Sequence, residues 1–130
     1  MNKIVFATNN QNKLSEIRNF VFQQIKILSL SDINCFEEIL ETHNTFEGNA
    51  LQKAEYIYDN YRYDCFADDS GLEISFLGGE PGVYSSRYAG NGCLSEDNIR
   101  KVLDKLGNSK NRNAKFKTVI ALIINNQKIF

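Results

Sequence analysis

The chain has 130 residues, of which 42% are hydrophobic and 24% charged, a composition typical of a globular domain rather than a disordered segment. Its 15 basic and 16 acidic residues are intermingled and give a net charge of −1, which argues against a nucleic-acid polymer as a partner. No apolar run approaches the roughly 20 residues of a membrane helix, and the N-terminus lacks the features of a secretory signal. We therefore expect a cytoplasmic protein without a membrane partner.

The first predicted elements are a strand over 1–7, a polar loop and a helix with Leu14, Ile17 and Val21 on one face. A helix that follows a strand offers unpaired backbone N–H groups and a positive dipole end to an anion, and Lys13 adds a formal charge there. This stretch contains no glycine and is not a Walker loop. A phosphate site and an ordinary capped helix with a surface lysine both fit it.

A second strand is predicted over 25–30, and an acid-rich connection over 31–44 leads to a second helix. Thr45 is its predicted N-cap, and the helix extends to about Tyr61. Its apolar stripe consists of Phe46, Ala50, Ala54, Ile57 and Tyr61.

Two polar residues of this helix, Asn49 and Lys53, are predicted to lie off the apolar stripe. They are four positions apart, so they share a face and could act on one ligand. The tyrosines at 56, 58, 61 and 63 could form a platform for a nucleobase. Tyrosines at helical spacing more often pack a helix onto a sheet, which is the favoured interpretation.

A short apolar run over 65–67 leads into two adjacent carboxylates, Asp68 and Asp69, which precede a serine and Gly71. We predict a strand that ends in this polar cluster, with Gly71 allowing a sharp turn or a positive φ. Because side chains alternate along a strand, the two carboxylates should point to opposite sides, so that only one faces a given ligand. The alternative interpretation is a polar turn between two strands that has no catalytic or binding role.

An alternating strand is predicted over 72–76, followed over 77–90 by a loop that holds the only proline and half of the eight glycines. Ser95 is the predicted N-cap of a third helix, which Gly107 ends. The predicted buried face of this helix consists of Ile99, Val102, Leu103 and Leu106.

A strand within 114–125, a tight turn at 125–126 and a returning strand over 127–130 complete the pattern. The alternation of strands and helices predicts an α/β or α+β protein with a mixed sheet, parallel at first and antiparallel at the end. The last strand is too short to bury much surface. We therefore expect residues 1–130 to form a single domain that is C-terminally incomplete.

The three cysteines, Cys35, Cys65 and Cys93, lie far apart and lack metal-ligand spacing. We expect them to be reduced, structural thiols. His43 is the only histidine, and we expect it in a surface loop rather than beside a catalytic cysteine.

Four segments of the chain resemble one protein family in order and spacing, across nearly all 130 residues. They read ATNNQNK at 7–13, ET and TFEGNA with KA between 41 and 54, ADDSGL at 67–72, and LGGEPGVYSSRY at 77–88. The family is that of the inosine triphosphate pyrophosphatases, also called non-canonical purine nucleoside triphosphate or dITP/XTP pyrophosphatases.

The resemblance implies that Thr8, Asn10 and Lys13 form a phosphate-binding loop. It also implies that Lys53 lies near the phosphates and that Ser70 contacts the substrate.

The same resemblance implies that Glu41 and Asp69 ligate Mg²⁺ and that Asp69 is the general base. A supporting role falls to Asp68, its neighbour in the motif, and to Asn49 on the helix. Magnesium usually takes only one or two carboxylates from a protein, which agrees with this pair.

The implied reaction is hydrolysis of ITP, dITP or XTP to the monophosphate and pyrophosphate, which removes deaminated purines from the nucleotide pool. The implied fold is a long, curved mixed sheet flanked by helices, with two lobes around a cleft, in a homodimer. The later family segments Phe-Gly-Tyr-Asp-Pro and Ser-His-Arg do not occur in these 130 residues. The alternative is therefore a catalytically impaired nucleotide-binding fragment, while the triplet at 69–71, which aspartic proteases share, is a weaker rival signal.

Overall fold

The computed structural model describes residues 2–21, 24–92 and 94–130, which contain three α-helices and five β-strands. In chain order these are β1 (Asn2–Phe6), α1 (Gln11–Phe20), β2 (Ile25–Leu28), α2 (Phe46–Tyr61), β3 (Cys65–Ile74), α3 (Ser95–Leu106), β4 (Ala114–Ile124) and β5 (Gln127–Ile129). None of the helices in these ranges has the length and apolar character needed to cross a bilayer.

The five strands form one mixed sheet in the order β2-β1-β3-β4-β5. β1 runs parallel to β2 and to β3, whereas β4 and β5 are antiparallel. Parallel neighbours require crossover connections, and α1 and α2 lie in the two connections concerned. The predicted mixed α/β class is confirmed.

The chain divides into two compact units, of which unit 1 comprises Met1–Asp69 and Val119–Phe130 and unit 2 comprises Ser70–Thr118. The expectation of two lobes agrees with this division, while the curvature of the sheet and the cleft stay predictions. The last residue of unit 1 within β3 is Asp69, one of the two carboxylates singled out in the sequence.

Two apolar clusters form the core of unit 1. The larger one contains Ala54 and Ile57 of α2 together with Cys65 and Ala67 of β3. In the smaller one, Leu14 of α1 joins Phe6 and Ile27, with Phe66 packed against them. Successive residues of β3 thus face different helices, as the alternation of side chains along a strand requires.

The first two helices each have a polar side chain as N-cap, and the sequence predicts the second of these caps. The side chain of Asn10 accepts a hydrogen bond from the backbone N–H of Lys13 at 3.1 Å and caps α1. Thr45 Oγ1 accepts one from the backbone N–H of Gly48 at 3.0 Å and caps α2, so the predicted N-cap is confirmed. Each cap satisfies one of the backbone donors that a helix leaves unpaired in its first turn.

The N-cap predicted for α3 is wrong by one position. Ser95 is the first helical residue, and Leu94 precedes the helix, with its backbone N–H donating to Asp97 Oδ2 at 3.0 Å. A carboxylate at the third helical position thus replaces the hydroxyl cap. Gly107 ends the helix as predicted, with a φ of 51°.

The buried face predicted for α3 is largely exposed. Only Leu106 is buried, whereas Ile99 is 58% and Leu103 is 53% exposed. α3 packs against the short 3₁₀ segments at 75–77 and 82–87, whose small surface covers only part of the apolar stripe.

The tight turn predicted between the last two strands is confirmed. Asn125 and Asn126 have φ values of 49° and 65°, both in the left-handed region that a two-residue hairpin turn of this kind requires. Asp64 Oδ1 accepts a hydrogen bond from the backbone N–H of Asn125 at 3.1 Å.

β3 runs without interruption through the aspartates, so the predicted strand end at 68–71 is wrong. Gly71 does not have a positive φ. A Cβ atom at this position would lie 2.1 Å from the carbonyl oxygen of Gly82 and 2.8 Å from Ser85 Oγ. That hydroxyl accepts from the backbone N–H of Leu72 and donates to the Gly82 carbonyl, which fixes the loop against the strand. Glycine is required here by a close backbone approach rather than by a turn.

The tyrosines of α2 have a structural role. Tyr56 and Tyr61 pack against the larger core cluster, and their hydroxyls donate to the Glu37 carboxylate at 2.8 Å. Its own backbone N–H and these two hydroxyls lower the pKa of Glu37 to about 2, while the carboxylate in turn raises the pKa of Tyr61. The packing interpretation is therefore confirmed for Tyr56, Tyr58 and Tyr61, whereas Tyr63 is 37% exposed.

Gly71→Ala should lower the free energy of unfolding by about 1–3 kcal/mol, because the added methyl group meets backbone that cannot move aside. Ser86→Ala is the matched control, because it introduces alanine at an exposed position of the loop that packs against Gly71 and should change stability by no more than about 0.5 kcal/mol. Urea denaturation of both variants measures the difference, and equal losses would contradict the role given to the Gly82 contact.

Stability should fall between about pH 4.5 and pH 2 in part through Glu37. Because folding lowers the pKa of this group, its contribution is fully present above the unfolded pKa and is lost as the pH falls to about 2. Glu37→Gln should reduce the dependence of stability on pH in this window. Glu38→Gln, at the neighbouring exposed position, should have a smaller effect on that dependence. Thermal unfolding from pH 2.5 to pH 6 checks this, and superimposable profiles for wild type and Glu37→Gln would refute it.

Candidate functional site

The N-terminal phosphate loop proposed from the sequence has a defined conformation. Thr8 Oγ1 accepts a hydrogen bond from the backbone N–H of Asn10 at 3.0 Å, and the Asn10 side chain in turn caps α1. Lys13 lies in the first turn of this helix. The positive end of the helix dipole and the lysine charge therefore lie in the same turn, which is favourable for an anion.

Lys13 connects this turn to the strand that carries the aspartates. Its ammonium lies 2.6 Å from Asp68 Oδ2, and Asp68 is only 7% exposed. The other carboxylate oxygen, Oδ1, is buried and has no hydrogen-bond partner within residues 2–21, 24–92 and 94–130. One oxygen of a buried carboxylate thus keeps its full capacity to accept a further donor or cation.

Lys53 brings a second cation to the same place. Its ammonium lies 2.9 Å from Glu41 Oε1 and donates to the backbone carbonyl of Asp68 at 2.6 Å. The lysine side chain is 12% exposed, and that of Glu41 is 31% exposed. The Lys53 ammonium group thus contacts both Glu41 and Asp68, two residues that are distant from each other in sequence.

Asn49 holds the second aspartate. Its Nδ2 donates to Asp69 Oδ2 at 3.1 Å, and its Oδ1 accepts the backbone N–H of His43 at 2.9 Å. Asn49 is completely buried, so the prediction that it lies off the buried face of α2 is wrong. A buried amide is tolerated here because both of its ends are hydrogen-bonded.

The two aspartates make their contacts with different helices. Asp68 pairs with Lys13 of α1, whereas Asp69 is bound by Asn49 of α2, in agreement with the predicted alternation. Ser70, the next residue of β3, is half-buried and is the first residue of unit 2.

The carboxylates of this site suit magnesium in number and in chemistry. The part of the chain that the structure describes contains no group of three or more His, Cys, Asp or Glu side chains able to hold a metal ion. Magnesium usually takes only one or two protein carboxylates and completes its shell with water and phosphate oxygens. Glu41 and Asp69 fit that requirement, and the unpartnered Asp68 Oδ1 is a further oxygen in the same region.

The two cysteines within the described residues are core thiols. Cys35 and Cys65 are buried, free thiols. Burial raises the pKa of Cys65 to about 12, and its Sγ donates to the carbonyl of Ala54 at 3.1 Å, so it does not form a nucleophilic thiolate. His43 is exposed, as expected, and Cys93 lies outside the described residues.

The parallel strands β2, β1 and β3 with their helices, and two lysines that meet carboxylates around the middle of β3, define an α/β protein with cationic groups available to an anionic ligand. The chain belongs to the Ham1 family, whose sequence profile matches residues 4–130. The family resemblance identified in the sequence is confirmed, because the curated relatives carry the name dITP/XTP pyrophosphatase.

One such relative, from Flavobacterium johnsoniae, is 58% identical over 120 residues, which are 92% of this chain and 62% of the relative. Among solved structures, the Staphylococcus aureus Ham1 protein has a TM-score of 0.89 and 39% identity, over 98% of this chain and 66% of that one. A nucleoside-triphosphatase, or dITP/XTP pyrophosphatase, from Mycobacterium abscessus has a TM-score of 0.82 and 34% identity, over 98% and 69%. The chain thus spans about two thirds of the length of these proteins.

Asn49→Leu should lower the free energy of unfolding by about 1–3 kcal/mol, because it removes a buried hydrogen bond to the Asp69 carboxylate and the acceptor of the His43 backbone N–H. Gln52→Met is the matched control. The half-buried Gln52 makes an equivalent pair of hydrogen bonds to the exposed Thr42, so its loss should stay within about 0.5 kcal/mol. Chemical denaturation measures both, and similar losses would show that the buried amide has no special structural role.

Proposed function

We propose that this chain hydrolyses the non-canonical purine nucleoside triphosphates ITP, dITP and XTP to the monophosphate and pyrophosphate. The reaction would remove deaminated purines from the nucleotide pool. The observation that carries the proposal is the convergence of Lys13 and Lys53 on Asp68, directly beside Asp69, in a member of the Ham1 family. The printed name of the relatives, dITP/XTP pyrophosphatase, supports the substrate class.

The two lysines are the groups that bind the triphosphate in this proposal. They reach Asp68 from two different helices, Lys13 through its carboxylate and Lys53 through its backbone carbonyl. Triphosphate oxygens are multiply charged acceptors that compete for the same ammonium groups. Thr8 and Asn10 shape the loop at the positive end of α1, where a phosphate group gains further stabilisation.

Asp69 is the general base of the proposed reaction. Asn49 donates to Asp69 Oδ2 and so fixes the orientation of the carboxylate. In the hydrolytic step the carboxylate accepts a proton from water while the water oxygen bonds to the α-phosphorus. The bond from that phosphorus to the bridging oxygen breaks, and pyrophosphate leaves without a covalent enzyme intermediate. Ser70, the next residue of the strand, is the proposed substrate contact.

Glu41 and Asp69 are the residues that would hold Mg²⁺, and Asp68 supports them from the same strand. When bound, the ion would offset the negative charge of the triphosphate and of the leaving pyrophosphate. The proposed location is the cytoplasm, where nucleotide pools are found. The proposed assembly is a homodimer, which would cover exposed apolar side chains such as Ile99 and Leu103.

Asp69→Asn should reduce pyrophosphate release from ITP at least about 100-fold, because an amide cannot accept the proton of the attacking water. Asp64→Asn is the matched control, since this half-buried aspartate precedes the same strand and its carboxylate binds the backbone of the hairpin turn at Asn125. Release from ITP, dITP, XTP, ATP and GTP is followed with both variants and the unchanged 130-residue chain. Residual activity of more than a few per cent in Asp69→Asn would rule out its role as the base.

The same assay in EDTA tests the metal. Loss of turnover in EDTA and its recovery with excess Mg²⁺ are expected, whereas undiminished turnover in EDTA would contradict the metal proposal and leave the hydrolysis intact. Saturable ITP binding without pyrophosphate release in a folded chain would instead support the catalytically impaired nucleotide-binding fragment.

A further inference from the structure

Unit 2 contains a polar cavity that includes none of the residues assigned to the phosphate chemistry. Its volume is about 430 Å³, which falls within the range of small-molecule sites. It is formed by the end of β3, the glycine turn that follows and the start of β4. The residues that matter for its chemistry are Glu73, Ser75, Gly78, Gly79, Asn113 and Lys115.

Glu73 lines this cavity, and one oxygen of its carboxylate has no donor. Its Oε1 atom is buried, and no group in the described part of the chain donates a hydrogen bond to it. A carboxylate with an unpartnered buried oxygen is costly, and an N–H donor that binds this carboxylate from the cavity would offset part of that cost. A cationic N–H group gives the strongest bond of this kind.

The glycine turn leaves room beside this carboxylate. A Cβ atom at Gly79 would lie 3.9 Å from Glu73 Oε2, and one at Gly78 would meet no atom within 4 Å. The turn is nevertheless held in place, because the backbone N–H groups of Gly78 and Gly79 donate to the carbonyls of Ser75 and Ile74 at 3.1 and 3.0 Å. Those N–H groups are therefore hydrogen-bonded within the turn. The turn fixes this wall of the cavity without any contribution from a ligand.

The start of β4 supplies the opposite charge. Lys115 lines the same cavity, and the neighbouring Asn113 accepts a hydrogen bond from the backbone N–H of Ser75 at 3.0 Å through its backbone carbonyl. A lysine at this place disfavours a polycation or a bare divalent ion, and it favours a ligand that has an anionic group as well as a cationic one.

We propose that this cavity binds a small zwitterion with a primary ammonium group, such as a free α-amino acid. The ammonium group donates to the Glu73 carboxylate, and the carboxylate of the ligand faces Lys115. The site is independent of the proposed hydrolysis, since no nucleotide takes part in it.

Amide NMR spectra of the complete 130-residue chain, titrated with glycine, test the proposal. Saturable shifts are expected for residues 73–79 and 113–115. Glu73→Gln should weaken binding about tenfold or more, because it removes a charge-assisted hydrogen bond. Lys115→Met should also weaken it, whereas Glu96→Gln and Lys110→Met, which change exposed residues elsewhere in unit 2, should not.

Methylammonium and acetate serve as single-charge probes, and each should bind more weakly than glycine. If methylammonium bound as tightly as glycine, the carboxylate of the ligand would contribute nothing to binding. The cavity would then be a site for a cation, and the proposal of a zwitterionic ligand would be wrong. The proposal would also fail if glycine caused no saturable shifts in the folded chain, or if Glu73→Gln bound it with unchanged affinity. None of these results depends on whether the chain releases pyrophosphate.

Discussion

The buried carboxylate of Asp68 is the constraint on which the arrangement of unit 1 depends. Lys13 reaches it from α1 at 2.6 Å, and Lys53 reaches the backbone carbonyl of the same residue from α2 at 2.6 Å. A buried carboxylate that lost its cation would be strongly unfavourable. The positions of both helices relative to β3 are therefore tied to the residue that precedes the proposed general base.

The alternation of side chains along β3 explains why two adjacent aspartates serve two helices. Phe66 belongs with the apolar cluster of α1, and Asp68, two positions on, pairs with Lys13 of that helix. Ala67 belongs with the cluster of α2, and Asp69 is bound by Asn49. An odd or even position in the strand thus decides which helix a carboxylate meets. A one-residue shift in the register of β3 would exchange these partners.

Local patterns predicted those features that neighbouring residues determine. The cap at Thr45 and the Asn125-Asn126 turn depend on hydrogen bonds or dihedral preferences within a few residues, and the sequence predicts both. The role of Gly71 could not, because it depends on the approach of Gly82 from a separate loop. Local spacing likewise misassigned Asn49, whose burial depends on a contact with Asp69, twenty positions away.

The contacts of Lys53 indicate how a metal ion and a nucleotide would be coupled in the proposed site. In the structure its ammonium is shared between Glu41 Oε1 and the Asp68 carbonyl, with little exposure to water. A cation bound to Glu41 would reduce the attraction of that carboxylate for the lysine, and triphosphate oxygens offer the replacement. Lys53 would then exchange one carboxylate for phosphate while it keeps its bond to β3. Metal and nucleotide would each favour binding of the other, since both relieve the same ion pair.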